Sequence, residues 1–174
     1  AAMASRLGPR PREGLERLGA DLENLLAVQD RALERAAPGA TSDPAAAALE
    51  LETAARAILS AESALAAWGP ADAQFARLER SLRALDARPD AAARVPAPVM
   101  TRLLASLAEA AHTRGEGALA NASADRAVDN AGAHPGDRDW AEALRIRASY
   151  RGGRGEYHDA FRELGEAEAA FRRS

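Results

Sequence analysis

Leucines recur at helical spacing through the start of the chain. Leu15, Leu18, Leu22, Leu25, Leu26 and Leu33 form one stripe on a helix that follows Pro11 and stops at Pro38-Gly39. The segment TSDPAAAALELETAARAILSAESALAAWG opens on a start signal, with Asp43 as N-cap and Pro44 at the first helical position. Leu51, Ile58 and Leu65 stand seven apart and share a face, and Gly69 ends that helix. Pro70 begins a third helix, with Phe75, Leu78, Leu82 and Leu85 inward. A proline-rich joint, RPDAAARVPAPV, follows at about 88–99. Four more helices are expected at about 99–113, 116–131, 138–151 and 156–172, with turns at HPGD (134–137) and RGGRG (151–155). Seven helices on short connections predict antiparallel neighbours.

Composition sharpens this to an all-α chain. Apolar residues make up 47% and aromatics 4%, so alanine dominates the apolar set, and alanine both favours helix and lets helices approach closely. With 174 residues the chain is one domain's worth, large enough to bury a core without staples. Residues 1–13 read as a flexible arm or added residues ahead of a single domain at 14–174, with Met3 as a candidate start. The formal net charge is -3 and every basic residue is arginine, which fits the codon usage of a high-GC bacterial genome. Near-neutral charge argues against a general nucleic-acid binder. Cysteine is absent, which excludes disulfide and thiol chemistry. No apolar run approaches a membrane span and the N-terminus has no signal-peptide core, so no membrane partner and a cytoplasmic location are expected.

The last part of the chain repeats itself at an offset of forty. Leu104 matches Leu144, Ala108 matches Ala148, Arg114-Gly115-Glu116 matches Arg154-Gly155-Glu156, Ala120 matches Ala160 and Ala127 matches Ala167. Small residues on both sides of the turn let two helices of a hairpin touch backbone to backbone. The glycine supplies the left-handed residue that ends the first of them. Periods of this length point to stacked helical arrays. The series Ala148, Gly155, Tyr157, Ala160, Ala167 resembles the tetratricopeptide repeat, in the longer-period variety of bacterial regulators and signalling proteins. Residues 99–172 carry it best. The unit before the last has Gly117 at the aromatic position and Ala124 where a larger residue is usual. A degenerate unit over Ala57 to Leu85 has Gln74 at a small-residue position. The resemblance implies a right-handed α-solenoid of stacked hairpins that binds proteins or peptides, as an adaptor or as the regulatory or assembly arm of a larger regulator. The alternative is a ligand- or peptide-sensing domain of a transcription regulator or signalling protein.

Catalytic and metal chemistry find no support in the spacing. His112, His134 and His158 form no i,i+3 or i,i+4 pair that could hold a metal. His158 precedes Asp159, and sequence neighbours on a helix are expected to point apart. YRGGRGE lacks the lysine and hydroxyl of a phosphate loop and sits where the hairpin needs its turn. Glu50/Glu52 and Glu166/Glu168 stand two apart, on different faces, which is unsuited to an acid/base dyad. No enzyme activity, metal or cofactor is expected.

Two surfaces remain as candidates. By the resemblance, the first helix of each hairpin lines a concave groove. That assigns Arg102, Glu109 and His112 from one unit and Glu142, Arg145 and Ser149 from the next, with Ala105 opposite Arg145. Such a row would hold an extended or helical peptide through arginine–carboxylate contacts. The other surface is the last helix, whose apolar stripe includes Tyr157, Phe161, Leu164 and Phe171. A stack leaves its end face bare. Either a further C-terminal helix covers it, or a second copy does, or Phe161 or Phe171 folds back onto earlier helices.

Overall fold

The computed structural model describes residues 11–69, 71–132 and 138–173; the side chains of residues 11–20, 67, 68 and 71 are outside that description. The arm up to residue 10, Pro70, and the HPGD turn with His134 lie outside the described residues. Among the described residues eight helices follow one another: α1 (Pro11–Ala36), α2 (Pro44–Trp68), α3 (Ala71–Asp86), α4 (Pro89–Ala92), α5 (Ala97–Thr113), α6 (Gly117–Ala131), α7 (Arg138–Gly153) and α8 (Tyr157–Phe171). The expected count was seven. The proline-rich joint contains an extra turn, α4, because Pro89 sits at a helix start, where its missing N–H costs nothing. The first helix begins at Pro11, so residues 11–13 belong to it and not to an arm. The RGGRG segment stays helical through Gly153.

The start and stop signals work as chemistry dictates. Asp43 accepts a hydrogen bond from the Ala45 N–H at 2.9 Å, capping α2. At the ends of α5 and α7, Gly115 (φ 78°) and Gly155 (φ 82°) are left-handed. Each turn closes alike. Glu116 N–H donates to the Ala111 carbonyl at 2.9 Å, and Glu156 N–H to the Arg151 carbonyl at 3.0 Å. Arg114 Nε donates to Glu116 at 2.9 Å, and Arg154 Nε to Glu156 at 2.8 Å. The positions forty apart therefore share backbone, hydrogen bonds and ion pairs.

Packing follows neighbours in the chain. α1 lies on α2, α2 on α3, α5 on α6 and α7 on α8; α5 also packs on α2 and α3, and α7 on α5 and α6. One continuous core runs through these layers, from Leu33, Leu51, Ile58 and Leu78 to Leu104 and Leu144. Small residues are buried on both members of each pair: Ala108 and Ala120 in α5–α6, Ala148 and Ala160 in α7–α8. Polar clamps hold the edges. The buried Gln29 amide on α1 donates to Ser81 Oγ at 2.9 Å and to the Arg77 carbonyl at 3.0 Å on α3. Asp30 accepts from Arg77 at 2.6 Å and also from Arg80. Asn130 at the end of α6 donates to Thr101 Oγ1 at 2.8 Å and to the Ala97 carbonyl at 2.9 Å. No described helix is long and apolar enough to cross a membrane.

Overpacking tests the alanine seam. Ala148→Leu or Ala160→Leu should each lower stability by about 1–3 kcal/mol in urea unfolding, because the added atoms enter a close backbone contact. Asp30 gives a pH prediction. Burial pushes its carboxyl up, but the hydrogen bonds and charges of Arg77 and Arg80 outweigh that and leave it below the ordinary value. Its contribution is therefore complete above about pH 4, the ordinary carboxylate value, and fades as pH falls through the lowered folded value. Asp30→Asn should cost about 1 kcal/mol at pH 7, a screened, partly exposed pair, and progressively less toward pH 2. Unfolding midpoints of both proteins across that range check the slope.

Candidate functional site

Two adjoining clefts open along α2, α5 and α7. The larger, about 650 Å³, is lined by Glu62, Thr101, Arg102, Ala105, Ser106, Glu109, Arg138, Asp139, Glu142, Ile146 and Phe171. The smaller, about 450 Å³, lies between α2 and the start of α5, on Leu59, Pro96, Pro98 and Val99, with Arg56 and Ser60 at its side. Arg102 and Asp139 line both, so the two form one groove with Arg102 between its halves. Pro96 and Pro98, with Leu59 and Val99, give the second half an apolar floor beside Arg56, Ser60 and Asp139.

The six expected groove residues divide. Arg102, Glu109 and Glu142 line the larger cleft. Arg145 is close by but engaged: it donates to Glu142 at 2.6 Å and to Glu109 at 3.2 Å, tying α7 to α5 one turn beyond Ala105. His112 and Ser149 are not among the lining residues. The His112 ring lies 5.0 Å from the Tyr150 ring, and Ser149 is exposed beside Tyr150. Sequence reasoning missed Glu62, Thr101, Ser106, Arg138, Asp139 and Ile146. The missed α5 and α7 residues lie in the same two helices but at the edge of the expected row, where a one-dimensional register does not separate groove wall from helix contact.

Electrostatics inside the groove are largely self-balanced. The hydrogen bond from Arg145 holds the Glu142 carboxyl below its ordinary value, against the opposing effect of burial, and the charges of Arg145 and Arg138 add to this. The same contacts, that from Glu142 first, push Arg145 up. Partial burial and the Glu109 charge push the Tyr150 hydroxyl up to about 12, so it stays neutral through the physiological range. Among the described residues, Arg102 has no ion-pair partner, whereas Arg145 has two. No group of three or more His, Asp or Glu among the described residues is placed to hold a metal. His158 Nδ1 does approach Asp159 Oδ1, at 3.9 Å, contrary to the expectation that they point apart; His158 is 95% exposed and the contact is loose.

A second charged cluster lies inside the α7–α8 seam. Glu163 is only 2% exposed and accepts from Arg147 at 2.6 Å, with Arg151 at 3.0 Å. Glu163 Oε2, Arg147 Nε and Arg151 Nε make no hydrogen bond, although Arg151 Nε stands 3.8 Å from Glu156 Oε2. A signal for it was present: Ala160, Glu163, Ala167 and Ala170 share a helical face, and a carboxylate on a buried face needs a cation. The positions forty residues earlier hold Leu107, Ala111 and Ser123, all buried. Removing one member leaves charge stranded, whereas replacing the whole cluster removes the desolvation cost. Glu163→Ala should therefore destabilise by about 3 kcal/mol in denaturant unfolding. The triple change Arg147→Leu, Arg151→Ala, Glu163→Ser should recover most or all of it.

No family model, curated protein or solved structure matches this chain.

Proposed function

We propose that this chain is a stack of helical hairpins of the tetratricopeptide type, wound right-handed, that binds a peptide or partner helix as an adaptor or regulatory arm. One observation carries the reading: a groove running along α2, α5 and α7, with an arginine lacking a described ion-pair partner, Arg102, where its two halves meet. The hairpin interpretation is supported by the two like turns at Gly115 and Gly155 and by α5 and α7 each packing on the pair before it. The ligand enters with an aliphatic side chain over Leu59, Val99 and Pro98 and a carboxylate on Arg102. Further along, Glu109 and Glu142 meet a polar or basic segment, although Arg145 already neutralises part of their charge. A ligand of uniformly negative charge is disfavoured there.

The sensing alternative has one observation in its favour. About 650 Å³ lies within the range of small-molecule pockets. Against it, the walls are mainly charged and hydroxyl-bearing, and Arg102, Glu109 and Arg138 are exposed along them. An open polar trough suits an extended chain better than an enclosed small molecule. We favour binding over catalysis because the groove carboxylate with a displaced pKa, Glu142, is held ionised by arginine, which opposes proton transfer near neutrality.

The test separates the two arginines. Arg102→Glu should abolish capture of partners from a cell lysate while leaving the helical circular dichroism unchanged. Arg145→Glu should weaken capture less, because its charge is already spent on Glu109 and Glu142. The double change Arg126→Glu with Arg162→Glu, away from the groove, should do little. Equal loss from groove and non-groove changes would remove the groove from consideration.

A further inference from the structure

Arg102 has a counterpart of opposite charge in the groove. Arg102 and Asp139 are the two residues that line both halves. Arg102 stands on α5 and is exposed; Asp139 stands in the first turn of α7 and is half-buried. Among the described residues neither side chain makes a hydrogen bond or an ion pair, with the other or with any third group. We propose that the groove recognises a peptide segment that carries an acidic and a basic residue beside an aliphatic one, with the acid on Arg102 and the base on Asp139. This rests on the groove being a peptide site and names the chemistry it selects.

Three observations carry it. The first is what the other wall charges do. Arg145 is shared between Glu109 and Glu142. Arg138 adds its charge to the hold on Glu142. Glu62 accepts from Gln74 at 3.1 Å, and Arg56 donates to Glu52 at 2.7 Å. Engagement of these groups leaves one cation and one anion to meet a ligand. The second is burial. A half-buried carboxylate gives up hydration and needs a donor or a cation in exchange. The first turn of a helix favours a carboxylate, yet among the described residues no N–H donates to Asp139. The third is shape. Both residues border both halves, so the two ligand charges belong on side chains close together along an extended segment, not at its two ends. The smaller half offers an aliphatic floor of Leu59, Pro98 and Val99, and Phe171 edges the larger. Tyr157, Phe161 and Leu164, on the same stripe of α8 as Phe171, are exposed and do not line the groove. A uniformly acidic segment meets Asp139 and a uniformly basic one meets Arg102, so each is rejected at one position.

A library of random seven-residue peptides displayed on phage, panned on the intact chain, tests this. Peptides enriched on the wild type and not on Arg102→Glu should combine an acidic, a basic and an aliphatic residue. The leading peptide, made synthetically, should bind Asp139→Asn about tenfold more weakly. The same peptide with its basic residue changed to glutamine should bind wild type and Asp139→Asn alike. Circular dichroism should be unchanged in both variants. The effects of Arg102→Ala and Asp139→Ala on the unfolding midpoint should add, because the two do not pair with each other. Three results overturn the paired-charge proposal while leaving a peptide groove standing: enriched peptides with an acid and no base, a loss at Asp139→Asn that ignores the peptide's basic residue, or strong coupling between the two alanine changes. Enrichment that is absent, or equal on wild type and Arg102→Glu, overturns the peptide groove and this proposal with it.

Discussion

Close backbone contact between paired helices is the constraint on which the rest depends. Buried alanines recur in both pairs, Ala108 and Ala120 in α5–α6 and Ala148 and Ala160 in α7–α8, the second pair enclosing its charged cluster beside them. A methyl group contributes little by burial, so such a seam is stable only if the helices approach closely enough for many atoms to touch. Close approach then dictates the turns. A short connection between tight antiparallel helices needs a residue at positive φ, which Gly115 and Gly155 supply. The larger leucines, Leu51, Leu78, Leu104 and Leu144 among them, join the layers into one core.

An alanine-rich interior leaves few large side chains to specify register, and polar contacts take over part of that role. Gln29 reaches Ser81, Asn130 reaches Thr101, and Asp30 receives Arg77 and Arg80; each fixes the end or edge of one helix against another. Arginine suits this use because its planar fork spans two acceptors at once. The α7–α8 pair carries the idea furthest. Where α5 and α6 bury Leu107, Ala111 and Ser123, α7 and α8 bury Arg147, Arg151 and Glu163. Such a cluster is a weak source of stability but a strict one in geometry, since any slip strands a charge. α8 packs on α7 alone among its larger contacts, whereas α6 is held by both α5 and α7. The charged cluster supplies positional definition where a second packing neighbour is missing.

Much of this architecture was legible in the sequence. Asp43-Pro44 marked the start of α2, and the forty-residue correspondence placed both glycine turns and the buried alanines on either side of them. These features obey local rules: a cap, a left-handed residue, a periodic face. The turn of α4 escaped because Pro89 and Pro96 read as breakers, while the four residues between the joint's ends still close one helical turn. The groove was legible in part. Arg102, Glu109 and Glu142 were placed by register, but whether an arginine is free depends on what stands across the gap, and Glu109 comes from a helix 36 residues away from Arg145. Sequence periodicity assigns a residue to a face and says nothing of the partner on the opposite wall. Residues 1–10 and 133–137 carried readings that fall outside the described structure.

Charge pairing also explains why the groove and the α8 face differ in kind. Where α5 and α7 face one another, Glu109, Glu142 and Arg145 satisfy each other, so the wall is polar, structured and stable without a ligand. On the reading proposed above, a ligand would gain most at Arg102, whose charge has no described counterion, and little from breaking the neighbouring pairs. On α8 the pair of Arg162 with Asp159 lies away from the apolar stripe, whereas that of Arg172 with Glu168 runs along it, Glu168 standing four residues after Leu164. Nothing there satisfies Tyr157 or Phe161 except exclusion of water, which any apolar surface of the right form provides. The charged groove and the apolar stripe of α8 meet at Phe171, which lines the one and ends the other.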